Sequence, residues 1–232
     1  MRRCNFDFIW NGISSNDMNI VVSELPPISK PEEKVEKITI PGRSGYLTVC
    51  DGAYSSYLKS VEFHIIHEKE NLDRVKRWLS GSGKVIFGNE PDKFYYARII
   101  NQIDLNQVIP ILHKAIVIFD CQPFGYLHEG EKTISLTEPT TLFNMGNIDS
   151  EPYLKVYAEG DIILRINDES IIIKGIQESV EIDTFLDSFF NSTESLESHV
   201  IGNCPVFQEG KNTISWDGNV KKIEIIPRWR CL

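Results

Sequence analysis

No apolar run in this 232-residue chain comes near the ~20 residues that a membrane-crossing helix needs. The longest runs, Ala115–Phe119 and Ile171–Ile173, are the size of strands. The opening MRRCNFDFIWNG carries two arginines, but Asn5 and Asp7 break its apolar stretch, so it does not read as a secretory leader. Cysteine is sparse. Cys4, Cys50, Cys121, Cys204 and Cys231 are far apart, odd in number and without a Cys-x-x-Cys spacing. That argues against a disulfide framework or a zinc knuckle. It predicts free thiols in a reducing cytoplasm. Basic residues are also short: 24 Lys+Arg face 33 Asp+Glu, a net charge of −9. Phosphate affinity rests on Lys and Arg, so tight nucleic-acid binding and attachment to an anionic membrane are disfavoured.

The deficit is uneven. Residues 1–135 hold 16 Lys+Arg against 17 Asp+Glu, a net of −1; residues 136–232 hold 8 against 16, a net of −8. Otherwise the composition is that of a globular protein: 41% hydrophobic and 25% charged residues argue against wholesale disorder. At ~100–200 residues per domain, the length suits one large β domain or two ordinary ones.

Hydrophobic periodicity predicts a mainly β chain. Phe6, Phe8 and Trp10 alternate as in a strand, and Asn11-Gly12 follows as a turn. Met18–Val22, Val35–Ile40, Leu58–Ile66, Lys84–Phe87, Phe94–Ile103 and Lys114–Phe119 read as further strands. Pro26-Pro27 and Ser29–Lys34 read as a polar loop, and Gly42 and Gly45 would permit positive φ in a tight loop around Arg43. One helix is predicted: Asn71 as N-cap, Leu72, Val75, Trp78 and Leu79 at helical spacing, and Gly81 beyond its end. After the charged stretch Glu129–Thr141 the texture is almost purely β, with strands at Tyr153–Tyr157, Ile162–Ile166, Ile171–Lys174, Val180–Ile182, Thr213–Trp216 and Val220–Ile226. Turns are expected at Glu159-Gly160, Asn167-Asp168 and Asp217-Gly218, which suggests an antiparallel sandwich. Asp183–Glu197 reads as a long loop or one short helix. The expected organisation is a domain at 1–131, a linker at 132–143 and a second domain at 144–232.

No catalytic pattern emerges. Gly81-Ser82-Gly83-Lys84 is a fragment of a phosphate-binding loop, but Val85 follows the lysine and the order is helix, glycine, strand, the reverse of what that chemistry needs. A helix cap and turn fit better. His64 and His67 are three apart, but at the end of a strand that spacing points them to opposite faces, so no metal is expected. No Gly-x-Ser-x-Gly elbow is present. Carboxylate pairs such as Glu129 with Glu131, or Asp183 with Asp187, say little without a pocket, and Asp183 and Asp187 read as solvated. In Arg228-Trp229-Arg230, strand geometry puts the two arginines on one face and Trp229 on the other. Two readings stand: a buried Trp229 with solvated arginines, or arginines at a subunit or domain contact.

Several segments carry a family resemblance in order: FIWNG (Phe8–Gly12), SSNDMNIVV (Ser14–Val22), IPGRSGYL (Ile40–Leu47) with Tyr54, and CQPFGY (Cys121–Tyr126). They continue in Asn144–Asp168 and Cys204–Leu232, whose end IPRWRCL partly mirrors IPGRSGYL. The chain resembles the distal tail (Dit) proteins of long-tailed bacteriophages. The resemblance implies an N-terminal β-sandwich with one α-helix, six copies of which form a ring, and a C-terminal galectin-like antiparallel β-sandwich that serves as an attachment platform. It implies a structural virion protein of a phage or prophage, not an enzyme and without a cofactor. That protein joins the tail tube to the tail tip or baseplate and lets DNA pass. Implied partners are other copies of itself, the tail tube, tail-tip and tape-measure proteins, and receptor-binding or baseplate proteins through the C-terminal domain. It would assemble in the bacterial cytoplasm and lie at the distal end of the virion tail. Gly42, Arg43, Tyr46, Arg228, Trp229 and Arg230 are the interface candidates. The acidic C-terminal half is expected at the outside of the ring. The alternatives are a carbohydrate-binding module contacting the host cell wall, marked by an exposed Trp216 or Trp229, and a cryptic hydrolase with converging carboxylates.

Overall fold

The computed structural model describes residues 6–66, 69–109, 112–192 and 194–232. Cys4 and His67, considered above, lie outside them. The chain divides into two compact units, one running through Gly125 and one from Tyr126 to Cys231. Both are built from antiparallel strands, so the fold is mainly β, with one α-helix among the described residues.

Unit 1 contains β1 (Phe8–Trp10), β2 (Ile13–Ser14), β3 (Ile20–Glu24), β4 (Glu33–Ile38), β5 (Leu47–Tyr54) and β6 (Tyr57–Ile66). Then come α1 (Lys69–Trp78), β7 (Ser82–Phe87), β8 (Lys93–Ile99), β9 (Asn106–Ile109) and β10 (Leu112–Cys121). The main sheet runs β2-β1-β7-β8-β10-β6-β3, with β9 also on β10. Period-2 alternation sets its inner face: Val61, Phe63 and Ile65 on β6 meet Ala115, Val117 and Phe119 on β10, all buried. Each such large side chain removed from water stabilises the unit by about 1.5–3 kcal/mol.

The helix lies against this core. Val75 and Leu79 are buried, Trp78 stacks on Phe8 at 5.5 Å between centroids, and its indole N–H donates to the Trp10 carbonyl at 3.1 Å. Gly81 has φ +79°, as a residue beyond a helix end prefers. Asn71, expected as the N-cap, is inside the helix, which begins at Lys69.

Unit 2 takes in all but the first residue of β11 (Gly125–Leu127), then β12 (Ile134–Leu136), β13 (Thr140–Asn144), β14 (Tyr153–Ile166), β15 (Glu169–Ile176) and β16 (Ser179–Asp183). It continues with β17 (Ser188–Asn191), β18 (Glu194–Ser195), β19 (Val200–Ile201), β20 (Gly210–Ile226) and β21 (Arg230–Cys231). Its sheet runs β12-β20-β14-β16-β17-β18, with β13 also on β20, and β15 joining β14 to β19. Leu154, Val156, Ala158, Ile162, Leu164 and Ile166 of β14 all face the core.

Three sequence expectations need correction here. The segment 132–143 is not a linker: β12 and β13 within it pair with β20, and the unit boundary falls earlier, at Gly125/Tyr126. Glu159-Gly160 and Asp217-Gly218 do not end strands. They sit at register shifts inside β14 and β20, where Gly160 (φ +83°) and Gly218 (φ +105°) let the paired strands bend together. A glycine in positive φ can bulge a strand without ending it, and composition does not distinguish the two. Asp183–Glu197, expected as a loop or helix, contributes β17 and β18, and Phe189 enters the core.

Candidate assembly interface

Among the described residues, β4 and β5 pair only with each other. They form a two-stranded arm outside the main sheet, with the loop 39–46 at its tip. Every residue of β4 and the first six of β5 are exposed. The tip bends because Gly42 (φ +80°) and Gly45 (φ +86°) take positive φ, and the Arg43 N–H closes a turn on the Ile40 carbonyl at 3.1 Å. Ile38 faces Leu47 and Glu36 faces Val49, so Ile38, Leu47 and Val49 share one face. Leu47 is 46% and Tyr46 57% exposed, and the Lys37 ammonium sits 4.9 Å over the Tyr46 ring. A lone hairpin is marginal in water, and apolar side chains on an open edge attract another chain.

The root of the arm is fixed by a buried charge cluster. Lys59, on β6, is 1% exposed and pairs with Glu90 at 2.8 Å. Lys93 reaches the same carboxylate at 3.0 Å, and the Tyr95 hydroxyl donates to it at 2.9 Å. Lys59 also lies 3.5 Å from the Pro27 carbonyl, and the Asn89 amide donates to the Pro26 carbonyl at 2.8 Å. The proline segment leading into β4 is thereby pinned. Burial alone would push the Glu90 carboxyl up, but hydrogen bonds and charge from Lys59 and Lys93 hold it below the usual glutamate range. Burial pushes the Tyr57 hydroxyl and the Cys121 thiol up to about 12 each, so neither ionises near neutral pH. Sequence reading missed this cluster, because Lys59 and Glu90 are 31 residues apart and carry no local pattern.

The six interface candidates separate. Gly42, Arg43 and Tyr46 lie exposed at the arm tip. Trp229 is buried, whereas Arg228 and Arg230 are partly exposed and hold carboxylate partners. Trp229 is 3% exposed and packs on Phe207 at 5.5 Å between centroids. Arg228 has φ +53°, which breaks the expected strand alternation, and makes two hydrogen bonds to Asp183, at 2.6 and 3.1 Å. Arg230 pairs with Glu151 at 3.0 Å. A Cβ on Gly130 would lie 2.3 Å from the Trp229 nitrogen, so the small residue is what lets this segment approach. Each of the three has at least one partner within unit 2: Asp183, Phe207 and Glu151. Asp183, read as solvated, is buried under Arg228.

Trp229 is buried and Trp216 is half-buried against the core, so neither is among the exposed side chains. Among the described residues no three His, Cys, Asp or Glu side chains converge as a metal site. A groove of about 460 Å³ on unit 1 is lined by Ser56, Ser82, Tyr96, Arg98, Asp120 and Gln122, a set without a nucleophile–base arrangement.

The class is thus a mainly β protein of two antiparallel units, one bearing an exposed arm. The fold is similar to that of SPP1 Dit (gp 19.1), described as a paradigm of the hub adsorption apparatus in phages infecting Gram-positive bacteria. The TM-score is 0.71 at 14% identity, over 94% of this chain and 97% of that one. No protein-family model and no curated protein matches the chain.

Proposed function

We propose that this protein is a non-catalytic structural component of a phage tail: a distal hub whose copies close into a hexameric ring around the path of the DNA. The observation that carries the proposal is the arm. Six apolar residues of the arm, Val35, Ile38, Ile40, Tyr46, Leu47 and Val49, are exposed on an otherwise unsupported hairpin, and a neighbouring copy would bury them. Identical heterologous contacts close into a ring when the rotation is right. Full-length similarity to SPP1 Dit supports the setting, and the deficit of basic residues suits a ring that DNA passes without sticking.

In this reading unit 1 makes the ring, and unit 2, a galectin-like sandwich carrying the acidic surplus, lies at larger radius and faces tip or baseplate proteins. The tail tube and tape-measure proteins meet the ring itself. Particle mass by native mass spectrometry, with negative-stain images, tests the proposal on the chain alone and co-expressed with a tail tube protein. A sixfold ring is expected. A monomer in both preparations, or a ring with residues 126–231 lining the hole, would overturn the reading or its placement of the units.

A further inference from the structure

One end of unit 2 holds large apolar side chains in solvent. Phe143 and Met145 flank the buried Asn144 at the end of β13, while Phe185 and Leu186 form the turn after β16. All four are more than half exposed. The segment 204–208 ties their backbones together. Its Pro205 carbonyl accepts from the Thr184 hydroxyl at 3.0 Å, and its Phe207 and Gln208 carbonyls accept from the Asn144 amide at 3.5 and 3.2 Å. Pro205 and Gln208 are three residues apart, so the two anchor points lie within about 10 Å of each other. Val206, between them, is exposed as well. The backbone beneath is fixed, since Phe207 and Ser150 exchange hydrogen bonds of 2.8 and 3.0 Å.

Charge decides what could cover this patch. Arg228 is committed to Asp183 and Arg230 to Glu151. Asp149, Asp187 and Glu209 are exposed, and no ion pair among the described residues neutralises them. Lys211, opposite Phe143 in the ladder, is a basic side chain on this edge. Residues 126–231 hold 9 Lys+Arg against 18 Asp+Glu, a net of −9. A second copy of unit 2 would bring like charge to the same place and be repelled. An anionic lipid surface is excluded on the same ground.

We propose that this end of unit 2 docks a basic polypeptide segment of another protein, one carrying large aliphatic or aromatic side chains. The apolar residues would supply the contact, and the carboxylates would set partner choice and association rate. The inference goes beyond the hub reading and would hold for a monomer.

Fluorescence anisotropy on the full chain tests it with three labelled peptides: Leu/Lys-rich, Leu/Glu-rich and Ser/Lys-rich. The Leu/Lys peptide should bind, and added salt should weaken it. The double substitution Phe185→Ser with Leu186→Ser should weaken it roughly tenfold, and Asp187→Asn with Glu209→Gln by a smaller factor. Leu47→Ser on the arm should leave it unchanged. All of these residues are exposed, and the melting curve of each variant checks that the fold is intact. Equal affinity for the Leu/Glu peptide, binding indifferent to the Phe185 and Leu186 changes, or no binding at low salt would each overturn the proposal. Particle mass on the same samples separates the two ideas. A ring that fails to bind peptide sinks only this inference, and a peptide-binding monomer sinks only the ring.

Discussion

The two units differ most in where they keep their charge. Residues 1–125 hold 15 Lys+Arg against 15 Asp+Glu, whereas residues 126–231 carry the entire −9 surplus. Unit 1 is neutral and holds one ion pair, Lys59–Glu90, almost wholly out of solvent. Unit 2 is acidic and sets pairs such as Arg165–Asp217 and Lys221–Glu159 in solvent, with Arg228–Asp183 as its largely buried exception. A buried pair fixes one local geometry at a desolvation cost. Exposed pairs add little stability and leave the surface charge to act at a distance. This division suits a neutral unit that packs against copies of itself and an acidic unit that receives others.

The largest expected effect tests the first half of that contrast. Leu47→Asp, alone or with Val49→Asp, puts charge on the apolar face of the arm without touching the main sheet. Assembly should be lost in native mass spectra while the melting curve stays put. A ring that survives the double substitution would move the subunit contact elsewhere in unit 1.

A second prediction asks whether the units melt separately. Trp229→Ala should cost about 3–5 kcal/mol, the usual penalty for emptying a buried aromatic site. The loss should fall on residues 126–231 alone. Hydrogen exchange by mass spectrometry should show faster exchange in β14 and β20 with β6 and β10 unchanged. Equal loosening of all four strands would mean that the chain unfolds as one body.

Much of this was legible beforehand, and the failures have a common cause. Pattern placed β6 to within one residue and β7 and β10 to within two at each end, because one face of each is buried and the other is not. Helical spacing found α1, and two glycines marked the tip of the arm. The sequence did not reveal that the arm stands alone: Val35–Ile40 alternates like any sheet strand, and only the fold shows that β5 is its one strand partner among the described residues. Glycine pairs in β14 and β20 signalled turns, whereas tertiary pairing on both sides carried each strand through a bulge. Arg228 was read as a strand residue, yet its positive φ and its hold on Asp183 depend on a contact 45 residues away. Long-range pairing decided each of these points, and local pattern cannot report it.

The third prediction concerns Lys59. Replacing it with Ala strands the Glu90 carboxylate in a dry site with Lys93 as its remaining cation. A cost of about 3 kcal/mol is expected, confined to unit 1. The pH dependence has a definite sign. Glu90 is held below its ordinary range when folded, so its contribution is full above the unfolded value of ~4.3 and is lost as pH falls through the lower folded value. The stability gap between the native chain and Glu90→Gln should therefore be widest near neutral pH and shrink in acid. A gap that grows in acid would mean that the carboxyl is protonated in the fold.

The smallest effect gives the sharpest form of the comparison. Arg165 and Asp217 in unit 2 approach to 2.6 Å, closer than the 2.8 Å of Lys59 and Glu90 in unit 1. If distance governed, Arg165→Ala should cost more than Lys59→Ala. Their side chains are 41% and 62% exposed, against 1% and 4% for the buried pair. Water screens the first pair, and neither partner is left desolvated when the other is removed. A change of only a few tenths of a kcal/mol is expected for Arg165→Ala, about a tenth of the Lys59 effect. Thermal melts of the two variants, side by side at low and high salt, measure the ratio. A loss above about 1.5 kcal/mol for Arg165→Ala would show that the exposed ladder of unit 2 carries structural weight, and the division between a buried clasp and a solvated acidic surface would fail.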